Sequence, residues 1–375
     1  MILTGSPASN IPKDYQRIVL LNPTRYLGNL MIAGGIIQQF LKYCQKNNIR
    51  FLLVVDAAYQ ELLQDSFPTE TLLFYPRTQI KQASSFKKIL LYFKCLLAIR
   101  RFNADIAFNI EEDSVSHRLT QLSAAKFKLG SNLARNKHGY DHVLDINYFN
   151  RDPAHKHRWY GFAEVFNKLG LQTLQPSYLR LTVQNISDPL LEKFSHLDVD
   201  LEAPLIAIHA SAAKDYKKWP ATNFAELIFL LNKQGYKTVL IGAGDADQQA
   251  NKNILECIKD NYSNSNTDID IDIECTDLCN QLSLFELASL LTQVKAMIGN
   301  DSGPFHLAAA LGVKGCVIFG PTDVALWRPL SKDSIVLKSE QACAPECTKI
   351  GCIYNNRCLK SIKPWQVLEK LQNLL

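Results

Sequence analysis

Short apolar runs alternate with longer amphipathic segments along most of the chain. The runs Arg17–Leu21 (RIVLL) and 51–55 (FLLVV) predict buried strands, and the segment 86–101 predicts a helix. Strands that alternate with helices in this way are typical of α/β folds with parallel sheets. The pattern therefore predicts an α/β protein.

The same alternation continues on both sides of a central interruption. Further elements predicted in the first half are strands at 71–75 and 105–110 and helices at about 28–47 and 152–170. The segment 171–204 carries Pro176, Pro189 and Pro204 and has no clean period, so we place a domain boundary within it.

After residue 204 the cycle of strands and helices begins again. The predicted strands are Leu205–His209, 237–241, 294–298 and Gly315–Phe319, and the predicted helices are 220–234, 247–259, 283–291, 304–311 and 364–375. We therefore expect two Rossmann-like domains, residues 1–185 and 186–375. Ligands should bind in a cleft beyond the carboxyl ends of both sheets.

Composition and charge narrow the class of protein. The 375 residues are 47% hydrophobic and 21% charged with a net charge of +5, which excludes an intrinsically disordered chain. The most apolar stretch, 89–99, is interrupted by Lys94 and is too short for a bilayer span, which takes about 20 residues. The first residues lack the basic start and apolar centre of a secretory signal, so we expect a cytoplasmic protein.

Basic residues are concentrated in the first half of the chain. Residues 1–185 contain 23 Lys and Arg against 13 Asp and Glu, whereas the remainder contains 18 against 23. Either this asymmetry is ordinary solvated surface, or the first half binds an anionic partner. Such a partner could be nucleic acid, a phosphorylated sugar or a membrane surface.

A strand–turn–helix segment, GNDSGPFHLAAALG at 299–312, is the strongest local motif. Pro304 suits the first turn of a helix, and Asp301 or Ser302 can cap it. The free backbone N–H groups and the positive end of the helix dipole would then suit a diphosphate, with His306 one turn further along as a donor. The alternative is a well-capped core helix whose alanines pack on the sheet.

Two loops of the same half supply candidate partners for such an anion. The loop HASAAKDYKKWP at 209–220 combines small residues, which allow a ligand to approach closely, with Lys217 and Lys218, which can neutralise phosphate charge. The turn IGAGDAD at 241–247 resembles a dinucleotide fingerprint, but Asp247 replaces its third glycine and the turn follows the second strand of its domain. Asp247 is therefore either a ribose-binding carboxylate or a turn cap.

Two further features are less specific. In the first loop, NPTRYLGNL at 22–30, Asn29 is either the N-cap of the first helix or a site residue. Four of the ten cysteines lie near the end of the chain, at Cys343, Cys347, Cys352 and Cys358. Their spacing differs from that of a zinc knuckle, so they are either ordinary thiols or a zinc or iron–sulfur site. No HExxH, GxSxG or Walker A pattern supports a zinc protease, a serine hydrolase or a P-loop enzyme.

Together these segments resemble glycosyltransferase family 9, which contains the lipopolysaccharide heptosyltransferases. The resemblance covers most of the chain: RIVLLNPTRYLGNL, HASAAKDYKKWP, GAGDAD, LSLFELASLL and, most specific in order and position, NDSGPFHLAAALGVKGCVIFGPTD. It implies a GT-B fold, in which two Rossmann-like domains with parallel sheets face each other across a cleft. The first domain would hold the acceptor and the second the donor, ADP-heptose. It also implies that heptose is transferred to the inner core of lipopolysaccharide with inversion at the anomeric carbon and without a metal cofactor.

By the same resemblance, the donor would lie against a set of residues in the second half. They are Ser211, Ala212, Lys217, Asp247, Leu282, Asp301, Ser302, Gly303 and His306. Lys217 would contact the phosphate, Asp247 the ribose and Leu282 the adenine. The acceptor would be a phosphorylated lipid A core, in agreement with the basic first half. We therefore expect a cytoplasmic enzyme that is peripheral to the inner face of the inner membrane and has no nucleic-acid partner.

The first loop departs from the family pattern. Well-known members carry Asp, taken as the general base, at the position of Asn29, and an amide cannot accept the acceptor's proton at neutral pH. Glu111, Glu112 and Asp113, at the end of a predicted strand, are then candidate bases. Alternatively, the chain uses another nucleotide-sugar donor, or it binds nucleotide-sugars without catalysis. An NAD-linked oxidoreductase is disfavoured by the altered fingerprint.

Overall fold

Each half of the chain builds its own six-stranded parallel sheet. The computed structural model describes residues 11–111, 113–132, 138–146, 155–172, 175–183, 186–263, 273–340 and 351–375. Two compact units divide the chain at residues 182 and 183, three residues before the boundary predicted from the sequence.

The sheet of the first unit has the strand order β3-β2-β1-β4-β5-β6, with every pairing parallel. Its strands are β1 Arg17–Leu21, β2 Arg50–Asp56, β3 Leu72–Tyr75, β4 Ile106–Phe108, β5 Phe127–Ser131 and β6 His142–Leu144. From β1 the strand order runs outward to β2 and β3 on one side and, starting with β4, to β5 and β6 on the other. The order thus changes direction between β1 and β4. In open α/β sheets this switch point is where ligands bind, at the carboxyl ends of the strands.

Six helices accompany this sheet within the described residues. They are α1 Leu27–Lys46, α2 Gln60–Leu63, α3 Arg77–Gln82, α4 Ser85–Arg101, α5 Ser114–Leu122 and α6 Arg158–Lys168. The interior of α1 contains two glycines because another segment crosses it closely. A Cβ atom on Gly34 would lie 2.5 Å from the Leu179 side chain, and one on Gly35 would lie 2.1 Å from the Ser177 carbonyl oxygen.

The second unit repeats this topology. Its strand order is β12-β11-β10-β7-β8-β9, so that β7 and β10 flank the switch point as β1 and β4 do in the first unit. The strands are β7 Leu205–His209, β8 Lys237–Leu240, β9 Cys275–Asp277, β10 Ala296–Asn300, β11 Gly315–Phe319 and β12 Ser334–Lys338. The helices are α7 Asp188–His196, α8 Ala221–Asn232, α9 Asp245–Ile258, α10 Leu284–Leu291, α11 Gly303–Ala310, α12 Val324–Trp327, α13 Arg357–Ser361 and α14 Pro364–Gln372.

The differences from the predicted elements have physical causes. Strands β5, β6, β9 and β12 were not predicted, because each is short or carries polar residues. Helix α7 lies inside the segment taken as irregular, where Pro189 occupies its first turn. Helix α6 begins at Arg158, several residues after the predicted start, and residues 152–154 lie outside the described part of the chain. Among the helices described, none is long and apolar enough to span a bilayer.

Candidate functional site

The carboxyl ends of β7 and β10 form a rigid platform in the second unit. These strands lie side by side, with His209 at the end of β7 paired in register with Gly299 of β10. The next residue, Asn300, is fully buried and holds the loop after β7: its amide donates to the Ala210 carbonyl at 2.7 Å and accepts the Trp219 N–H at 2.9 Å. The loop that contains Ser211, Ala212 and Lys217 is thereby fixed at the switch point.

Helix α11 begins at this platform without a side-chain cap. Ser302 occupies the N-cap position, but its hydroxyl is hydrogen bonded to His209 Nδ1 at 2.9 Å. The Asp301 carboxylate accepts from the Lys217 ammonium at 2.7 Å. Ser302 thus stands at the predicted N-cap position, but neither the Asp301 nor the Ser302 side chain caps the helix, because both have other partners. The N–H of Gly303 is left at the positive end of the helix dipole, an arrangement that suits an anion.

His209 connects the start of α11 with the predicted ribose-binding carboxylate. Its Nε2 atom lies 3.2 Å from Asp247 Oδ2, which also accepts the Ala243 N–H at 2.9 Å. Burial opposes ionisation of Asp247, but the hydrogen bonds from His209 and Ala243 outweigh it and lower the pKa of this carboxyl. Because the ionised carboxylate only accepts, Nε2 carries the hydrogen; when the ring is neutral, Nδ1 then accepts from Ser302.

Sequence reasoning missed His209 as a site residue. The side chain is only 4% exposed, and its two partners lie 38 and 93 residues further along the chain. Its position as the last residue of a buried strand, directly before a loop of small residues, is the signal that could have indicated it. The turn-cap role considered for Asp247 is also present, through Ala243.

The turn before α9 brings the Asp247 and Leu282 segments together. Gly244 adopts a φ of +87°, which a residue with a side chain rarely adopts. A Cβ atom on Gly242 would lie 2.6 Å from the Cβ of Asp247, so this position needs a glycine for the close approach. The Gly244 N–H donates to the Asn280 side chain at 2.6 Å. Leu282, two residues beyond Asn280, is half-buried.

Lys217 and His306, the two side chains predicted to interact with the diphosphate, differ in charge. Lys217 is 23% exposed and ion paired with the nearly buried Asp301, so its charge is held in a fixed position. Burial lowers the pKa of His306 to about 4. The His306 ring is therefore neutral at physiological pH, and it can offer a hydrogen-bond donor but no positive charge.

At the switch point of the first unit, Glu111 follows β4 and Asn22 follows β1. Asn29 lies in the first turn of α1 and donates to Glu111 Oε2 at 3.3 Å. The N-cap position of this helix is Tyr26, so the alternative role of Asn29 as N-cap is wrong. The buried side-chain amide of Asn22 and Glu111 Oε1 have no hydrogen-bond partner of ordinary geometry within the described residues. This edge thus presents unused polar atoms.

The candidate bases at this edge have different environments. Burial raises the pKa of Glu111 to about 7, while Thr24, Asn29 and Arg158 oppose the rise. Asp113 instead accepts from Arg77 at 2.9 Å. Glu111 is the buried one of the two, and its pKa suits proton transfer at neutral pH. Glu112 lies outside the described residues.

Arg77, which sequence reasoning also missed, organises this edge. Its guanidinium donates to Asp56 at 2.6 Å, to Asp113 and to the Pro23 carbonyl. It thereby ties the start of α3 to the ends of β1, β2 and β4. Nothing in the local sequence distinguishes this arginine, because its acidic partners are 21 and 36 residues away.

The cysteine cluster is described only in part. Cys343 and Cys347 lie outside the described residues. Cys358 is buried, and the Cys352 sulfur accepts the Asn356 N–H at 3.2 Å. No group of three or more potential metal ligands occurs among the described residues. A four-cysteine metal site stays a prediction.

The chain is similar in sequence to known proteins. The model of "Glycosyltransferase family 9 (heptosyltransferase)" matches residues 93–356. Lipooligosaccharide heptosyltransferase 2 of Campylobacter jejuni serotype O:2 is 31% identical over 160 residues, or 42% of this chain and 47% of that protein. Lipopolysaccharide heptosyltransferase 3 of Escherichia coli K12 is 24% identical over 313 residues, 83% of this chain and 85% of that protein. The chain thus spans about half the length of the first of these relatives.

Two solved structures share the fold along nearly the whole chain. A family 9 glycosyltransferase from Veillonella parvula superposes with a TM-score of 0.76 at 20% identity, covering 97% of this chain and 98% of that one. The ADP-heptose lipopolysaccharide heptosyltransferase II of E. coli gives a TM-score of 0.70 at 19% identity, with 96% and 98% coverage. The predicted α/β class with two Rossmann-like domains of the GT-B type is confirmed.

Proposed function

Because this chain belongs to glycosyltransferase family 9, the heptosyltransferase family, we propose that it moves heptose from ADP-heptose to the inner core of lipopolysaccharide. Relatives named lipopolysaccharide heptosyltransferase and a structural neighbour named for ADP-heptose support this choice of substrates. The observation that carries the proposal is the uncapped first turn of α11 between Lys217 and His209.

The donor is assigned to the switch point of the second unit. The Gly303 N–H and the dipole of α11 would receive the diphosphate, with Lys217 as the nearby cation. Asp247, kept ionised by His209 and Ala243, would accept hydrogen bonds from the ribose hydroxyls. Leu282, half-buried two residues after Asn280, would contact the adenine. Ser211 and Ala212 lie in the loop that Asn300 fixes, and their small side chains leave room for the sugar.

The acceptor is assigned to the switch point of the first unit, with Glu111 as the general base. The acceptor hydroxyl would attack the anomeric carbon opposite the bond to ADP, so that a new C–O bond forms while the bond to the diphosphate breaks with inversion. The proton of that hydroxyl would pass to Glu111, whose pKa near 7 allows it to be ionised at neutral pH. Asn29 holds this carboxylate by its amide, and Asp113 is ion paired with Arg77.

The charge that develops on the leaving ADP needs stabilisation by groups already in place. The start of α11 and Lys217 supply it without reorganisation, because the Asp301 ion pair fixes the ammonium before the donor arrives. We place this reaction at the inner face of the inner membrane, where a lipid-anchored acceptor would be encountered.

Nucleotide binding and turnover test the proposal in two steps. We expect ADP to raise the unfolding temperature of the protein, with UDP, GDP and NAD giving smaller shifts. We then expect ADP release from ADP-heptose only when a phosphorylated lipid A core acceptor is present. Preference for another nucleotide would overturn the donor assignment. Binding of ADP-heptose without turnover would favour the non-catalytic alternative.

A further inference from the structure

Helix α4 exposes an apolar stripe that no described part of the chain covers. Its large exposed side chains are Phe86 (79% exposed), Ile89 (56%), Leu90 (58%), Phe93 (59%) and Leu97 (49%). At about 100° per residue these positions fall within an arc of about 100° on the helix surface. A second face, with Cys95 and Ile99, packs into the core of the first unit. The helix thus has two apolar faces, and only one of them is buried.

One border of this stripe carries positive charge. The segment 77–101 contains seven Lys and Arg and no Asp or Glu. Lys87, Lys94 and Arg101 recur every seventh residue, so they line one side of the stripe. Within the described residues these three side chains form no ion pair. A surface that is apolar in the centre and cationic at its border matches the acyl and headgroup layers of an anionic bilayer.

The stripe begins near the edge of the sheet assigned to the acceptor. Strand β3 ends at the carboxyl edge, and α4 returns the chain to the opposite edge, where β4 begins. Helix α3 precedes α4 by two residues, and its Arg77 is bonded to Asp56 and Asp113 at the carboxyl edge. The most exposed part of α4, residues 85–90, therefore lies towards the end of the sheet that holds Glu111.

We propose that α4 is a membrane-docking helix, which inserts the stripe Phe86, Ile89, Leu90, Phe93 and Leu97 into a bilayer rich in anionic lipid. This docking rests on the proposed function for its purpose, since it would bring the acceptor edge to the lipid in which a lipid A core is anchored. The cationic border selects anionic headgroups rather than an apolar groove of another protein or a second copy of this chain, whose own border would repel it.

Vesicle binding tests the docking without donor or acceptor. We expect the full chain to co-sediment with phosphatidylglycerol–phosphatidylcholine vesicles, more weakly with added salt, and to bind pure phosphatidylcholine poorly. The double variant Phe86→Ser with Phe93→Ser should bind at least about tenfold more weakly, because two aromatic side chains no longer enter the acyl layer. Lys87→Gln with Lys94→Gln should lose most of the salt-sensitive part of binding.

Matched control variants distinguish binding through this stripe from nonspecific adsorption to vesicles by other exposed apolar side chains. Leu191→Ser and Trp365→Ser change exposed apolar side chains of the second unit and should leave vesicle binding unchanged. Because all these side chains are exposed, every variant should keep the parent's unfolding temperature. Equal vesicle binding by the Phe86/Phe93 variant and the parent would overturn the proposal. The proposal would also be overturned if analytical ultracentrifugation showed that the parent is a dimer and the Phe86/Phe93 variant a monomer, because a second copy would then cover the stripe.

The failure of this proposal is distinguishable from that of the proposed function. Transfer to a lipid-free core saccharide should be equal in the parent and the Phe86/Phe93 variant, because the stripe contacts neither substrate. A parent that transfers heptose but does not bind anionic vesicles would overturn the docking alone. A parent that binds vesicles but never transfers heptose would overturn the transferase assignment alone.

Discussion

Replacing Glu111 by glutamine tests the candidate base and the structure around it together. The side chain is 4% exposed at the carboxyl end of β4, and Asn29 donates to one of its oxygens. Glutamine keeps the size of the side chain but cannot ionise or accept the proton of an acceptor hydroxyl. The substitution should therefore change stability and activity in opposite directions, each with its own dependence on pH.

The stability effect follows from the raised pKa. Below pH 4.5, both the folded and the unfolded chain hold the proton of Glu111. Between pH 4.5 and about 7 the unfolded chain has released it while the folded chain retains it, so the free energy of unfolding falls as pH rises. The full difference corresponds to about 3 kcal/mol above pH 7. Glu111→Gln should be close to the parent in stability at pH 4.5 and more stable by up to about 3 kcal/mol at pH 8.

The activity effect should be a loss. Without a base to take the proton, we expect kcat at pH 8 to fall by about 10²- to 10⁴-fold, and the rise of the parent's rate with an apparent pKa near 7 to disappear. Urea unfolding at several pH values and ADP release would measure the two effects. Glu70→Gln, at an exposed position of the same unit, is the control and should change neither. Unaltered turnover would refute Glu111 as the base, and a stability difference that does not vary with pH would refute its raised pKa.

Three further predictions concern the second unit. Lys217→Met should raise the KM for ADP-heptose about tenfold or more, because it removes a cation worth about 1.4 kcal/mol or more at the phosphate. Lys218→Met is its control: it breaks only an ion pair with the exposed Asp215, so the KM should not rise. His209→Phe should lower the free energy of unfolding in urea by about 1–3 kcal/mol, because it leaves the partly buried Asp247 without one hydrogen bond. His196→Phe, at an exposed site, is its control. Gly235→Ala should cost about 1–2 kcal/mol because its φ is positive. Gly244→Ala should cost about 1–3 kcal/mol, because its φ of +87° and ψ of 172° suit only glycine. Only Gly244→Ala should weaken ADP binding in calorimetry.

The fold was largely predictable because its central strands are continuous apolar runs. The predicted bounds of β1, β7 and β11 agree with the structure at both ends. Nearly every residue of these strands is buried between helices on both faces of the sheet, which favours apolar residues along most of each strand. Strands at the margins of the sheets need no such run. For this reason β6 and β9, each three residues long, left no recognisable pattern.

The site was predictable in its members but not in their pairing. The sequence indicated Lys217, Asp247, Asp301 and Ser302 as separate contacts for a ligand. The structure instead joins Lys217 to Asp301, and Ser302 through His209 to Asp247. These partners are 38 to 93 residues apart, and only the parallel order of β7, β8 and β10 brings them together. Local capping rules predict that the Asp301 and Ser302 side chains cap the helix, but both are hydrogen bonded to residues distant in the sequence.

The hydrogen bond between Asn29 and Glu111 suggests a physical reason for an asparagine at the position where related proteins carry an aspartate. A second carboxylate 3.3 Å from Glu111 would be a like charge at short range, so that one of the two would hold a proton well above neutral pH. An amide at this position avoids that repulsion and donates a hydrogen bond, which favours the ionised form of the remaining carboxylate. Burial raises the pKa to about 7 against the hydrogen bonds from Thr24 and Asn29, which lower it. Under the proposed function, the proton acceptor of this chain would therefore be Glu111 at the end of β4, and Asn29 would orient it.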